Sequence, residues 1–291
     1  MIDEQPRPGL TTPARIVTYD GDAARETVDD LATEEPLEIR LVAGAQMRSV
    51  AVTMRTPGND FELAAGFLLS EGVIARRDEI AGISYCIDSE IDVEQRYNIV
   101  NVQLAAGALP ALERLERHFT MSSACGVCGK ANIEALQLRA APIDDPVRIS
   151  LQQIAELPEK MRNAQRVFAS TGGLHASALF SADGKLLVLR EDVGRHNALD
   201  KIAGWALLND RLPLAGCVLL VSGRASYELL QKSIVARIPI VCAVSAPSSL
   251  AVDLARNFGV TLLGFVRGSR ANAYAGRERI TRPAETPAAD R

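Results

Sequence analysis

From Asn197 to Phe265, helix-like and strand-like hydrophobic patterns alternate, and this alternation limits the possible folds more than any other feature of the chain. The pattern predicts helices over Asn197–Leu208, Ala225–Val235 and Ser249–Asn257, separated by strands at Cys217–Val221, Ile240–Val244 and Val260–Phe265. Elements in that order specify βαβ units: parallel pairing, with helices covering the sheet. Just upstream, Leu174–Phe180 and Lys185–Leu189 flank Asp183-Gly184, whose residue types suit a hairpin turn with positive φ.

The first half reads differently. Leu37–Leu41 and Ser49–Met54 lie on either side of Gly44 as an antiparallel pair. Pro57-Gly58 ends the second strand, and Asn59 is expected to cap a helix over Asp60–Ser70. Strands at Ile80–Ile87 and Tyr97–Leu104 and a short helix from Pro110 to His118 complete an α+β pattern. Residues 140–146 read as a linker, Ser150 as a helix cap, and Pro158 as the first turn of a further helix. The organisation expected is a tail over 1–15, a smaller N-terminal α+β domain over 16–145, a C-terminal α/β domain over 146–282 and a tail over 283–291.

Composition narrows the function. A hydrophobic share of 47% supports a large core, while a net charge of −4 gives no global attraction to nucleic acid. Charge is uneven: residues 1–38 are acid-rich, whereas the arginines of 267–291 can meet an anion locally. The N-terminus has no positive segment followed by an apolar one, and no apolar run approaches about 18 residues. A cytoplasmic protein is expected, with no membrane span and no nucleic-acid partner.

Consecutive parallel strands place the loops after their C-terminal ends along one edge, where open α/β sheets bind ligands. Those loops here are Arg190–Asn197, Ser222–Ser226, Ser245–Ser249 and Val266–Arg270, and the first three lead into helix N-termini suited to phosphate. They point to a pocket for a phosphorylated, nucleotide-like ligand, against the plainer alternative of surface ion pairs and glycine turns. Neither a P-loop nor a complete dinucleotide fingerprint is present.

Cys86, Cys217 and Cys242 sit in apolar, strand-like stretches and read as small hydrophobes. Ser122-Ser-Ala-Cys125-Gly-Val-Cys128-Gly-Lys130 is different: glycine follows each thiol, and the positive charge of Lys130 is expected to favour the reactive thiolate. Structural zinc, dithiol exchange and persulfide carriage all use such a pair. Zinc lacks a set of four ligands, with His118 the only nearby histidine, so no metal site is expected. Dithiol exchange usually sits in a strand-to-helix turn rather than in a glycine-rich segment between domains. Persulfide carriage needs a nucleophilic, mobile cysteine and a docked acceptor. A zinc deaminase is disfavoured, because His175-Ala-Ser177 lacks the glutamate of the His-x-Glu signature and the Cys-x-x-Cys lies upstream.

Taken together, the cysteine motif, Thr171-Gly-Gly-Leu-His-Ala176, Glu191-Asp-Val-Gly-Arg-His-Asn-Ala-Leu-Asp-Lys201, Ser222-Gly-Arg-Ala-Ser226, Ala243-Val-Ser-Ala-Pro-Ser-Ser-Leu-Ala251 and Gly264-Phe-Val-Arg267 closely resemble the FdhD family of formate dehydrogenase accessory sulfurtransferases. The resemblance runs in order over roughly residues 30–280. It implies a C-terminal cytidine-deaminase-like domain, a smaller N-terminal domain and a homodimer. It further implies a protein that takes sulfur from a cysteine desulfurase and delivers it to the molybdenum bis(molybdopterin guanine dinucleotide) cofactor of formate dehydrogenase. By motif position, Cys125 corresponds to the persulfide carrier, with Cys128 as relay or resolving thiol. Phe265, Val266, Arg267, Gly268, Ser269 and Arg270 correspond to the cofactor-binding segment. Arg195, His196, Ser222 and Arg224 are further expected contacts, and Asp192 and Asp200 are expected to hold Arg195 or a helix terminus in place.

Overall fold

The computed structural model describes residues 9–110 and 140–281. In the first stretch the elements are β1 (Thr11–Asp20), β2 (Ala23–Ala32), β3 (Glu35–Ala43), β4 (Gln46–Arg55), α1 (Asp60–Ser70), β5 (Ile80–Tyr85), α2 (Val93–Arg96) and β6 (Ile99–Leu104). The second opens with β7 (Ile149–Ser150), α3 (Leu151–Ala164), α4 (Arg166–Thr171), β8 (His175–Ser181) and β9 (Leu186–Asp192). It continues through α5 (Arg195–Leu208), β10 (Cys217–Val221), α6 (Tyr227–Val235), β11 (Ile240–Ala243), α7 (Ser249–Asn257), β12 (Thr261–Arg267), β13 (Arg270–Ala275) and β14 (Ile280–Thr281). The cysteine motif and the helix expected over Pro110–His118 lie largely or wholly outside the described residues.

Two compact units divide the chain, and they interleave along it. The first comprises Met1–Cys128, Gln165–Ala176 and Arg190–Arg211; the second takes Gly129–Ala164, Ser177–Leu189 and Leu212–Arg291. The sequence reading placed a single boundary between 145 and 146. Periodicity reports the type of an element, not which core it joins.

In the first unit a four-stranded sheet runs β4-β3-β6-β5, with β3 antiparallel to β4 and parallel to β6. Leu37, Ile39, Leu41 and Ala43 alternate along β3 into the core. Arg55, fully buried at the end of β4, is matched by acceptors: its guanidinium donates to both carboxylate oxygens of Asp60 at 3.2 Å, and to Glu35 and Asn98. Helices α1 and α5 cross through Gly66 and Gly204. A Cβ built on Gly66 would stand 1.8 Å from the carbonyl oxygen of Asp200, and one on Gly204 would stand 1.8 Å from that of Glu62. The helices therefore meet backbone to backbone. Alongside, Glu62 takes Arg190 in a two-pronged ion pair at 2.5 and 2.7 Å, and Ser70 donates to Asp200 at 2.8 Å. Strands β1 and β2 form an antiparallel ribbon closed at Gly21. Thr11–Arg15, expected as tail, are thus strand. Asn59 does precede α1, but in a left-handed conformation and without a side-chain cap bond.

The second unit is built on a six-stranded sheet in the order β13-β12-β11-β10-β8-β9. The first residues of β8 and the last of β9 fall in the first unit. β10, β11 and β12 are parallel, as the alternation requires, while β8 and β13 run antiparallel to their neighbours. Val218–Val221 and Ile240–Ala243 are buried without interruption, the expected texture of strands covered on both faces. Helix α3 lies against β10 and β12, and α7 against β12 and β13. Ser150 and Gln153 cap α3 reciprocally: the Gln153 amide donates to Ser150 Oγ and the Ser150 amide to Gln153 Oε1. Pro158 lies inside this one helix rather than starting another. At the hairpin, Gly184 has φ +77°, and the Ser181 amide donates to Lys185 across the turn.

Candidate functional site

At the C-terminal ends of β10, β11 and β12 the second unit joins three loops. The Ala225 amide donates to Ala246, Ser248 to Ala225, and Phe265 to Ser245. Arg267 Nε adds a bond to the Val244 carbonyl at 3.2 Å. Gly264 permits the closest approach, since a Cβ there would meet Pro247 at 2.8 Å and the Ser245 carbonyl at 3.2 Å. Two helices begin on this edge, α6 capped by Ser226 Oγ and α7 by Ser248 Oγ. Phe265 adopts φ +53°, a region that bulky side chains rarely occupy, and the strain is local to this edge. Phe265 is half-buried and Val266 fully buried, whereas Arg267, Gly268, Ser269, Arg270 and Arg224 are exposed. The expected loop over Val266–Arg270 is in fact two strand ends and a tight turn, because β12 runs on to Arg267 and β13 starts at Arg270. The edge offers exposed guanidinium groups beside capped helix starts, chemistry suited to phosphates.

In the first unit, α5 starts from a clamped turn. The buried Asp192 carboxylate accepts from the Gly194 amide at 2.8 Å, Asn197 Nδ2 at 3.0 Å and the Thr56 amide at 3.3 Å, and pairs with Lys201 Nζ at 2.7 Å. Lys201 also donates to the carbonyls of Thr56 and Glu191, and Thr56 Oγ1 accepts from the Val193 amide. Arg195 follows directly. Its Nε is buried without a hydrogen-bond partner among the described residues.

Half-buried His175 has its pKa lowered from the ordinary 6.5, by burial first and by the charge of Arg195 second, with Asp192 opposing. A lowered folded-state value means that the unfolded chain takes up this proton more readily. Stability contributed here is therefore present above about pH 6.5 and declines as pH falls towards the folded value. The fall in urea midpoint between pH 7.5 and 5.5 is accordingly expected to be smaller in His175→Gln than in the parent. An identical fall in both would show that His175 carries no such linkage.

A sequence profile of the FdhD/NarQ family matches residues 32–281. The chain is 52% identical over 276 residues to the sulfur carrier protein FdhD of Streptomyces coelicolor, covering 94% of this chain and 96% of that one. Identity to the protein of the same name from Mycobacterium tuberculosis is 49%, covering 93% and 99%. The chain belongs to the FdhD/NarQ family. Among solved structures, one described as a formate dehydrogenase accessory protein from Desulfotalea psychrophila superposes with a TM-score of 0.72 at 26% identity, over 94% of this chain and 100% of that one. The family is thus one of sulfur carrier proteins associated with formate dehydrogenase accessory function.

Of the positions that the FdhD resemblance singled out, the structure brings the Ser222–Ser226 loop and Phe265–Arg270 onto one edge of the second unit, whereas Arg195 and His196 belong to the first. Cys125 and Cys128 lie outside the described residues. Cys242 is fully buried, with its thiol pushed up to about 12, and Cys86 is buried as expected; Cys217 is partly exposed, and burial raises its thiol too. Asp192 does hold a helix terminus, while Asp200 instead reaches back to Ser70 on α1. Sequence reasoning missed Thr56 and Lys201 as partners of Asp192. Lys201 ends the Glu191–Lys201 motif, but Thr56 carries no local signal at all. Among the described residues, no cluster of three or more His, Cys, Asp or Glu side chains is placed to hold a metal, and no helix is long and apolar enough to cross a membrane.

Proposed function

We propose that this protein is a cytoplasmic sulfurtransferase that accepts persulfide sulfur from a cysteine desulfurase on Cys125 and delivers it to molybdenum bis(molybdopterin guanine dinucleotide), the acceptor required by formate dehydrogenase. The observation that carries the reading is the Cys125-Gly-Val-Cys128 motif in a chain aligned almost end to end with proteins named sulfur carriers. The loop-joined edge supports the choice of acceptor: a bis-guanine-dinucleotide presents two pyrophosphates, and Arg224, Arg267 and Arg270 with two helix starts are complementary to them. In the transfer, the Cys125 thiolate attacks the terminal sulfur of the donor persulfide and releases the donor thiolate. Cys128 then either relays that sulfur or resolves the persulfide. In the resolving case Cys128 attacks Cys125 Sγ, expels sulfide and leaves a disulfide that a reductant reopens.

Incubation with a cysteine desulfurase and cysteine, followed by alkylation and peptide mass spectrometry, tests the reading. One added sulfur mapped to Cys125 or Cys128 supports it, and no added sulfur with an active donor overturns it. The acceptor edge has its own test: Arg270→Glu is expected to weaken GDP binding by about tenfold at low salt, and by less as salt rises. Unchanged affinity would remove Arg270 from the site.

A further inference from the structure

We propose that Asp192, Lys201 and Thr56 are positioning residues for acceptor binding, locking the Val193-Gly194 turn so that the Arg195 guanidinium is held ready for phosphate. The proposal rests on the reading of Arg195 as an acceptor contact. Its first support is the way neighbouring charges are consumed. The two carboxylates next to Arg195 in the chain are both taken: Asp192 by Lys201 and three further donors, and Glu191 by the Val167 and Phe168 amides at 3.1 and 2.8 Å. Other arginines of the same unit are tied to acids, Arg55 to Asp60 and Arg190 to Glu62. Arg195 makes no ion pair with a described residue, and its Nε is an unpartnered donor in a buried place. Such a donor carries a desolvation cost that an incoming anion would offset.

The second support is the cost of the clamp itself. Asp192 is fully buried and Lys201 is 1% exposed. Removing two such charges from water cancels much of their attraction, so an apolar pair of similar size would stabilise the fold about as well. What the ion pair supplies instead is geometry. Four donors converge on one carboxylate and fix the turn between β9 and α5 from Thr56 on one side and Lys201 on the other. A guanidinium projecting from a fixed turn loses less conformational freedom on binding than one on a loose loop.

GDP binding by calorimetry, in a double-mutant cycle between Lys201→Met and Arg195→Ala, tests the proposal. Each single variant is expected to weaken GDP by about tenfold, and the double variant to bind no more weakly than Arg195→Ala alone. Additive losses, or wild-type affinity in folded Lys201→Met, would overturn it. Lys201→Met leaves Asp192 without its counter-ion and endangers folding, so Thr56→Val is measured in the same cycle. That near-isosteric change removes only the acceptor of the Val193 amide. It is expected to weaken GDP about threefold in the parent and not at all in the Arg195→Ala background, with any loss in that background counting against the proposal. Wild-type affinity in Arg195→Ala would instead remove the underlying reading of Arg195, a result distinct from additivity, and the proposal with it.

Discussion

Cys125→Ala is expected to abolish both sulfur loading at position 125 and activation of formate dehydrogenase in cells that depend on this protein. The carrier step is a thiolate attack on sulfane sulfur, and alanine offers no atom to take its place. The local sequence favours that thiolate, because Lys130 brings a positive charge five positions after Cys125 in the chain. The disulfide state of the parent during turnover separates the two schemes left open for the second thiol. If Cys128 resolves, a Cys125–Cys128 disulfide forms; if it only relays sulfur from Cys125, none forms, and under either scheme Cys128→Ala keeps persulfide on Cys125 while activation is lost. Both are read from the same alkylated peptides. Normal enzyme activation by Cys125→Ala would sink the carrier reading and leave an escort for the molybdenum cofactor in its place.

The largest effect on the fold is expected from Gly204→Ala. In an isolated helix this change stabilises by about 1 kcal/mol. Here the sign reverses, because the new methyl would lie 1.8 Å from the Glu62 carbonyl oxygen and 2.8 Å from the Gly66 amide nitrogen. The obstacle is the backbone of α1, not the tip of a side chain that can turn aside. Relief therefore requires α1 and α5 to move apart, which disturbs the ion pair of Arg190 with Glu62 and the bond from Ser70 to Asp200. Overpacking commonly costs 1–3 kcal/mol, and a clash between two backbones belongs at or above the top of that range, so a loss of about 3 kcal/mol or more is expected. Urea denaturation of the variant, with Gly107→Ala alongside, checks this. A Cβ at Gly107 meets nothing within 4 Å, so that variant should be close to neutral. Equal midpoints for the two variants would show that the helix crossing yields without cost.

Much of this was legible in one dimension. The apolar spacing of α1, α7 and β10 located those elements to the residue, because periodicity is a property of neighbours along the chain. Turn chemistry worked equally well at Asp183-Gly184, where only a residue tolerant of positive φ closes the hairpin. It failed at Asn59, whose residue type suits a cap but whose left-handed backbone leaves the side chain without that bond. It failed again at Pro158, which α3 absorbs in its interior.

By itself, then, the sequence determined the order and kind of most elements, the parallel centre of the larger sheet and the family. Tertiary structure alone decided that Gly66 and Gly204 face each other, that Thr56 closes on Asp192 from 136 positions away, and that Ser245 supports the strained Phe265. The reason is that spacing encodes which face of an element is apolar, whereas the partner that covers that face is chosen only when distant segments pack together. A glycine within a helix reads as a small local cost until the second helix lies against it.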